Sequence, residues 1–314
     1  MTRSTRILGI AMAMLIALSA CATSAPELPP DSPSEMVDVL TSDTGDDILK
    51  KVTTYEWDDD GAEAAARFTW IGQDRDASQT TQAAAVIAEY LIANHNSLSG
   101  LDSGFLGLSK VSAAQLNPVL LRSYATALTP RIGELVGGQQ NAFDALRTQV
   151  ADDPLALRNL LSVFVADPEA GRTAVEATHS AAEQYEINAA AAPPDSDESA
   201  ADLRAAGSLL GAAYGAVHLA GSDIPTPPIG EAANAMAVRV AAILVPADPN
   251  PAKVSQYVQG GRLMSPAEIE SKFSNTAMRT YYLDLQDYIS GKGFGDGISI
   301  FHNAFMASSG VPAP

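Results

Sequence analysis

Apolar residues recur along this chain at three- and four-residue spacing, while period-two alternation is almost absent, so the pattern predicts helices and almost no strands. Residues 80–94 carry the clearest stripe, with Ala84, Ile87, Tyr90 and Leu91 on one face beside Val86. An earlier, shorter helix is expected over 61–70, capped by Asp60, with Phe68 and Ile71 as its apolar points.

A recurrent device then marks helix starts: a polar cap followed by proline, which has no N–H to lose and a backbone angle suited to the first turn. Asn117-Pro118 opens 119–128, with Leu120, Leu121, Tyr124 and Leu128, and Pro130 restarts the chain over 131–136 until Gly137-Gly138 stops it. An amphipathic piece covers 141–149. Asp153-Pro154 opens 155–166, with Leu157, Leu160, Leu161 and Phe164, and Asp167-Pro168 opens a long helix over 169–191 through Val175, Thr178, Ala182, Tyr185 and Ile187. Residues 193–199, with Asp195, Asp197 and Glu198, read as an acidic, proline-containing break. Helix resumes over 200–220, and Pro225, Pro227 and Pro228 make a loop before an alanine-rich buried helix over 232–244. Ser265-Pro266 with Glu268 is a capping box, 276–289 follows, and Gly291, Gly293, Gly295 and Gly297 read as a glycine loop before a short element over 298–306. The fold class is therefore all-α, an irregular multi-helix bundle or helical array of roughly eight to ten helices after a disordered tether. No fixed repeat period is found.

The first residues depart from this pattern. Arg3 and Arg6 precede an apolar run over 7–18, which closes on Leu18, Ser19, Ala20 and Cys21, the only cysteine. This reads as a lipoprotein signal over 1–20 with Cys21 as the acylated first residue of the mature chain. The run is too short for the roughly 20 residues of a membrane-spanning helix. Acylation also accounts for a single cysteine in an exported chain, and leaves no thiol for a disulfide, a zinc site or a nucleophile. Residues 21–45, with Pro26, Pro29, Pro30 and Pro33, read as a flexible tether. Beyond it, 46–192 form one helical region, 193–199 the break, and 200–314 a second helical part packing on the first.

Composition narrows the function. Of 314 residues, 46% are hydrophobic and only 6% aromatic, so the core is built from closely approached Ala, Leu and Val helices. A net charge of −18, more negative still without Arg3 and Arg6, repels phosphate backbones and anionic headgroups, so nucleic acid is not an expected partner.

The candidate chemical sites read as structure. Glu56, Asp58, Asp60 and Gly61 match the opening of a calcium loop, but Ala64 and Arg67 stand where later ligands belong, so helix capping is the reading. His95, His179, His218 and His302 are scattered, and no metal or cofactor is expected. There is no Gly-x-Ser-x-Gly elbow or Ser-x-x-Lys pair, and Gln286 stands where a phosphate loop before Gly291-Lys292 needs glycine. Gly207, Gly211 and Gly215, every fourth residue in an uncharged run, permit close helix contact within a soluble bundle.

Two stretches are similar to actinobacterial, largely mycobacterial, proteins labelled TPR-repeat-region proteins. One is Trp57-Asp58-Asp59-Asp60-Gly61-Ala62-Glu63 through Phe68 and Trp70-Ile71-Gly72; the other runs from Leu116-Asn117-Pro118 to Gly133-Glu134-Leu135-Val136-Gly137. Leu157 to Leu161 and Asp167 to Gly171 extend the likeness, which covers roughly 46–220. It implies an α-helical, exported, envelope-associated protein and no established reaction. The Trp, Leu-Gly and Tyr spacing of a tetratricopeptide repeat is missing, so peptide-groove binding does not carry over from the label. The expected function is a lipid-anchored, extracytoplasmic helical protein that binds or scaffolds a protein partner, without enzymatic activity. A transporter's substrate-binding lipoprotein, which needs alternating strands and helices, is the alternative, and an envelope hydrolase a weaker one.

Overall fold

A computed structural model describes residues 25–73, 78–103, 109–138 and 141–312. The expected signal over 1–20 and Cys21 lie outside them. Helices dominate: α1 (Pro33–Leu40), α2 (Gly45–Thr54), α3 (Ala62–Ala66), α4 (Ser78–Leu98), α5 (Ala113–Leu116), α6 (Pro118–Leu128), α7 (Asp144–Asp152), α8 (Ala156–Val165), α9 (Pro168–Ala191), α10 (Asp197–Ala220), α11 (Ile229–Leu244), α12 (Pro266–Phe273), α13 (Met278–Ile289) and α14 (Gly295–Ser309). Strands among the described residues are two antiparallel pairs, β1 (Leu101–Ser103) with β2 (Ser109–Val111) and β3 (Val258–Gln259) with β4 (Arg262–Leu263). The chain is all-α, as its periodicity predicts. Its buried apolar side chains form one cluster that runs from Met36 on α1 to Phe305 on α14.

The cap-plus-proline device works as read at α9. Asp167 accepts from the backbone N–H of Glu169 and Ala170, Pro168 takes the first helical position, and the Arg122 guanidinium grips the same carboxylate with two bonds of 2.9 Å. Burial opposes ionisation of Asp167, but Arg122 and the two N–H donors outweigh it and hold the carboxyl below its usual range. At α12 the Ser265–Glu268 capping box forms in both directions. A second box, Ser112 with Gln115, opens α5.

Several expectations are corrected. The expected tether of 21–45 holds helix α1 over Pro33–Leu40, because Met36, Val37 and Leu40 are buried and α1 packs on α4. Asp197 and Glu198, assigned to the break over 193–199, form the first turn of α10 under a Ser196 cap, where carboxylates meet the positive end of the helix dipole. The piece expected over 131–136 is not α-helix: 131–135 belong to a 3₁₀ segment, Thr129–Leu135, and Val136 follows its end. The glycine loop reduces to a kink: Gly293 takes φ +95°, and α14 already starts at Gly295. Hairpin β3–β4 turns on Gly260 and Gly261, both at positive φ, a two-residue signal present in the sequence.

The glycine stripe of α10 meets the backbone of α14. A Cβ on Gly207 would lie 2.3 Å from the Phe301 carbonyl oxygen, one on Gly211 2.2 Å from that of Phe305, and one on Gly215 2.0 Å from that of Ser309. Both sets advance by four residues in the same direction, so the helices run parallel in backbone contact. We expect Gly211→Ala to cost about 2–3 kcal/mol, since α14 must move away to admit the methyl group. Gly230→Ala, at a helical position with nothing within 4 Å, should be neutral or stabilising by up to ~1 kcal/mol. Denaturant midpoints measure both, and equal effects would refute the close-packing account.

Candidate functional site

A broad concavity follows α9. This helix buries Ala170, Ala174, Val175, Thr178, Ala182, Ala189 and Ala190 on one face, and α10 and α8 pack against it. A second face, Thr173, Ala177, Ser180, Ala181, Gln184, Tyr185 and Asn188, lines a cleft of about 1500 Å³. The opposite wall is the 3₁₀ segment with Gly137, Gly138 and Asn141, and Ser78, Thr81 and Gln82 of α4 close one side.

Specific contacts hold the walls. Proline at 130 has no N–H to continue the α6 ladder, so the chain tightens into 3₁₀ geometry. This turns Arg131 inward to 2% exposure, where it donates to Thr80 Oγ1 at 2.7 Å, with Glu134 3.6 Å away. The Tyr185 hydroxyl donates to the Gly133 carbonyl at 3.0 Å, and a Cβ on Gly137 would fall 2.7 Å from that hydroxyl, so the walls meet closely there. Asn141 bonds Glu134 across the rim. Hydroxyl and amide side chains make up about half of the lining; Arg131 and Glu134 are tied to neighbours, and Glu176 is exposed.

A charged cluster lies on another face of α9. Glu186 is fully buried and pairs with Arg239 of α11, which also pairs with Glu183. Burial pushes the Glu186 carboxyl up to about 7, against the pull of Arg239, and burial pushes the His179 imidazole down. Sequence reasoning missed this cluster, since no local spacing links α9 to α11. It also bears on α11: Ile229–Ala247 is 19 residues with mean hydropathy 1.4, long and apolar enough to cross a membrane by length and composition. Yet Arg239 stands at its middle, and a cation there costs about 2.5–3.5 kcal/mol in a bilayer centre. Pairing with α9 satisfies that charge.

The sequence candidates occupy structural positions. Asp59, not Asp60, caps α3, its carboxylate accepting from the N–H of Gly61 and Glu63 at 3.0 and 2.8 Å. Asp60 takes φ +59°, and its carbonyl accepts from Val119 N–H. Buried Asn117 donates to the carbonyls of Thr53 and Tyr55 and accepts from Trp57 N–H, and Gly61 sits against Leu120. The stretches around 53–61 and 117–120 thus fold against each other. His95, His179, His218 and His302 lie on α4, α9, α10 and α14; His95 contacts the Ile92 carbonyl and His218 stacks on Tyr214. Among the described residues no three His, Cys, Asp or Glu side chains gather as a metal site. A shallower groove of about 610 Å³, between α11, α12 and α13, is lined by Glu231, Glu270, Met278 and Tyr282.

Compared with known protein families, curated proteins and solved structures, the chain matches none.

The raised Glu186 value sets a pH dependence. A carboxyl that binds its proton more tightly in the folded state stabilises the fold below its ordinary value of 4.5 and loses that contribution as pH rises through about 7. His179 acts oppositely, its depressed value costing stability as pH falls below 6.5. The difference between wild type and Glu186→Gln isolates the glutamate: the variant should gain on the order of 1–3 kcal/mol relative to wild type between pH 4.5 and 8. Urea unfolding across that range reads it, and a difference that does not change with pH contradicts the assignment.

Proposed function

We propose that this chain is a lipid-anchored, extracytoplasmic helical protein whose body binds or scaffolds a protein partner. The anchor rests on Leu18-Ser19-Ala20-Cys21 at the end of a short apolar run, with Cys21 receiving the lipid. The binding role rests on the cleft along α9, whose volume exceeds the roughly 300–1000 Å³ usual for small-molecule pockets and whose lining is largely uncharged. Resemblance of residues 46–220 to exported TPR-repeat-region proteins agrees with this placement. No reaction is assigned: the four histidines lie on four different helices. A substrate-binding lipoprotein of the strand-and-helix type has little in its favour: four strands of two or three residues occur among the described elements.

Two experiments test the reading. Labelled fatty acid should be incorporated into wild type and not into Cys21→Ala, with the label on the mature first residue by mass spectrometry. A wild-type chain without acyl label refutes the anchor. In the intact envelope, a photo-crosslinking residue replacing Ser180 should capture a specific protein that the same probe replacing Lys50, outside the cleft, does not. Equal or absent capture at the two positions refutes the binding role.

A further inference from the structure

We propose that the cleft takes an extended peptide segment, recognised through its backbone by the row Ser180, Gln184 and Asn188 on α9. This rests on the binding role above and gives that site a ligand class.

Length comes first. The lining face of α9 runs from Thr173 to Asn188, which at 1.5 Å per residue is about 22 Å. That spans about six or seven residues of extended chain. A compact small molecule would leave most of it empty.

Spacing and chemistry agree with that shape. Ser180, Gln184 and Asn188 are exposed and follow one another every fourth residue, so they rise by about 6 Å each. An extended strand repeats the orientation of its peptide groups every second residue, about 6.6 Å. Gln184 Nε2 donates to Asn188 Oδ1 at 2.9 Å, which aligns the two amides in one row. The pair still presents one carbonyl acceptor and N–H donors outward, and this holds if both amides are flipped. A peptide unit, with one N–H and one C=O, is their complement.

The remaining lining favours a peptide over a glycan. Tyr185 is the aromatic residue among the described lining residues; it is half-buried, with its hydroxyl bonded to Gly133 and its ring edge against Gly137. A sugar ring would find no open aromatic face to cover its apolar side. Arg131 and Glu134 are held by Thr80 and Asn141 within the protein, which leaves the neutral α9 row and Glu176 as the exposed recognition groups. Exposed Glu176 adds a preference against acidic residues at its end of the cleft.

The test uses the intact protein in detergent micelles, screened against an array of acetylated, amidated heptapeptides beside an array of neutral oligosaccharides. Retained heptapeptides should lose roughly tenfold or more in affinity on alternate N-methylation and in Gln184→Ala/Asn188→Ala. Both side chains are exposed, so the double variant should keep the wild-type melting temperature. The inference is overturned if no heptapeptide is retained, if retention ignores both changes, or if oligosaccharides are retained in place of peptides. A partner captured at position 180 alongside an empty peptide array sinks this inference alone. Absence of that capture sinks the binding role itself.

Discussion

Backbone-to-backbone contact between α10 and α14 is the constraint on which the rest of the structure depends. Three glycines spaced by four residues remove the side chains that would hold two helices apart, and carbonyls of α14 fill the space. In a chain with few aromatics, such closeness supplies the dispersion contacts that larger side chains supply elsewhere. Phe301 and Phe305 on α14 are then buried beside the seam, and the other faces of α10 pack on α8 and α9. The final helix is therefore a central element of the core.

This arrangement fixes α9, and α9 fixes the cleft. One face of α9 is committed to α10 and α8, its N-terminus is locked by Asp167 to Arg122 of α6, and its pairing with Arg239 brings in α11. A stripe of small and polar residues is left over, and the 3₁₀ segment faces it, meeting it at Gly133 and, just beyond the segment, at Gly137. Buried ion pairs contribute little net stability, so the Glu186–Arg239 pair is better understood as fixing where α11 sits.

Features set by neighbours within three or four residues were legible in the sequence. Asp167-Pro168 and the Ser265–Glu268 box are local because donor and acceptor lie within one turn, and the glycine stripe declares close contact by its spacing alone. α1 was hidden because four prolines in 26–33 dominate the composition, although Met36, Val37 and Leu40 already lie at helical spacing. Asp197 and Glu198 looked like a break because charge runs and helix first turns share a composition. The cleft was not legible, since its walls are far apart in sequence and its polar lining leaves no hydrophobic period. The cap of α3 moved by one residue for a tertiary reason: the Asp60 backbone is occupied with Val119.

The parallel seam also sets an order of events during synthesis. Gly207 finds its partner, Phe301, only after about ninety further residues have been made, a long-range closure of the kind that slows folding. At ordinary rates of roughly 5–20 residues per second, the groove of α10 stays unfilled for several seconds or more. During that interval the acceptor groove of α10 exists without its insert, and the small-residue face stays open to water. Synthesis of α14 then supplies the backbone that fills it, so the seam is among the latest contacts to form.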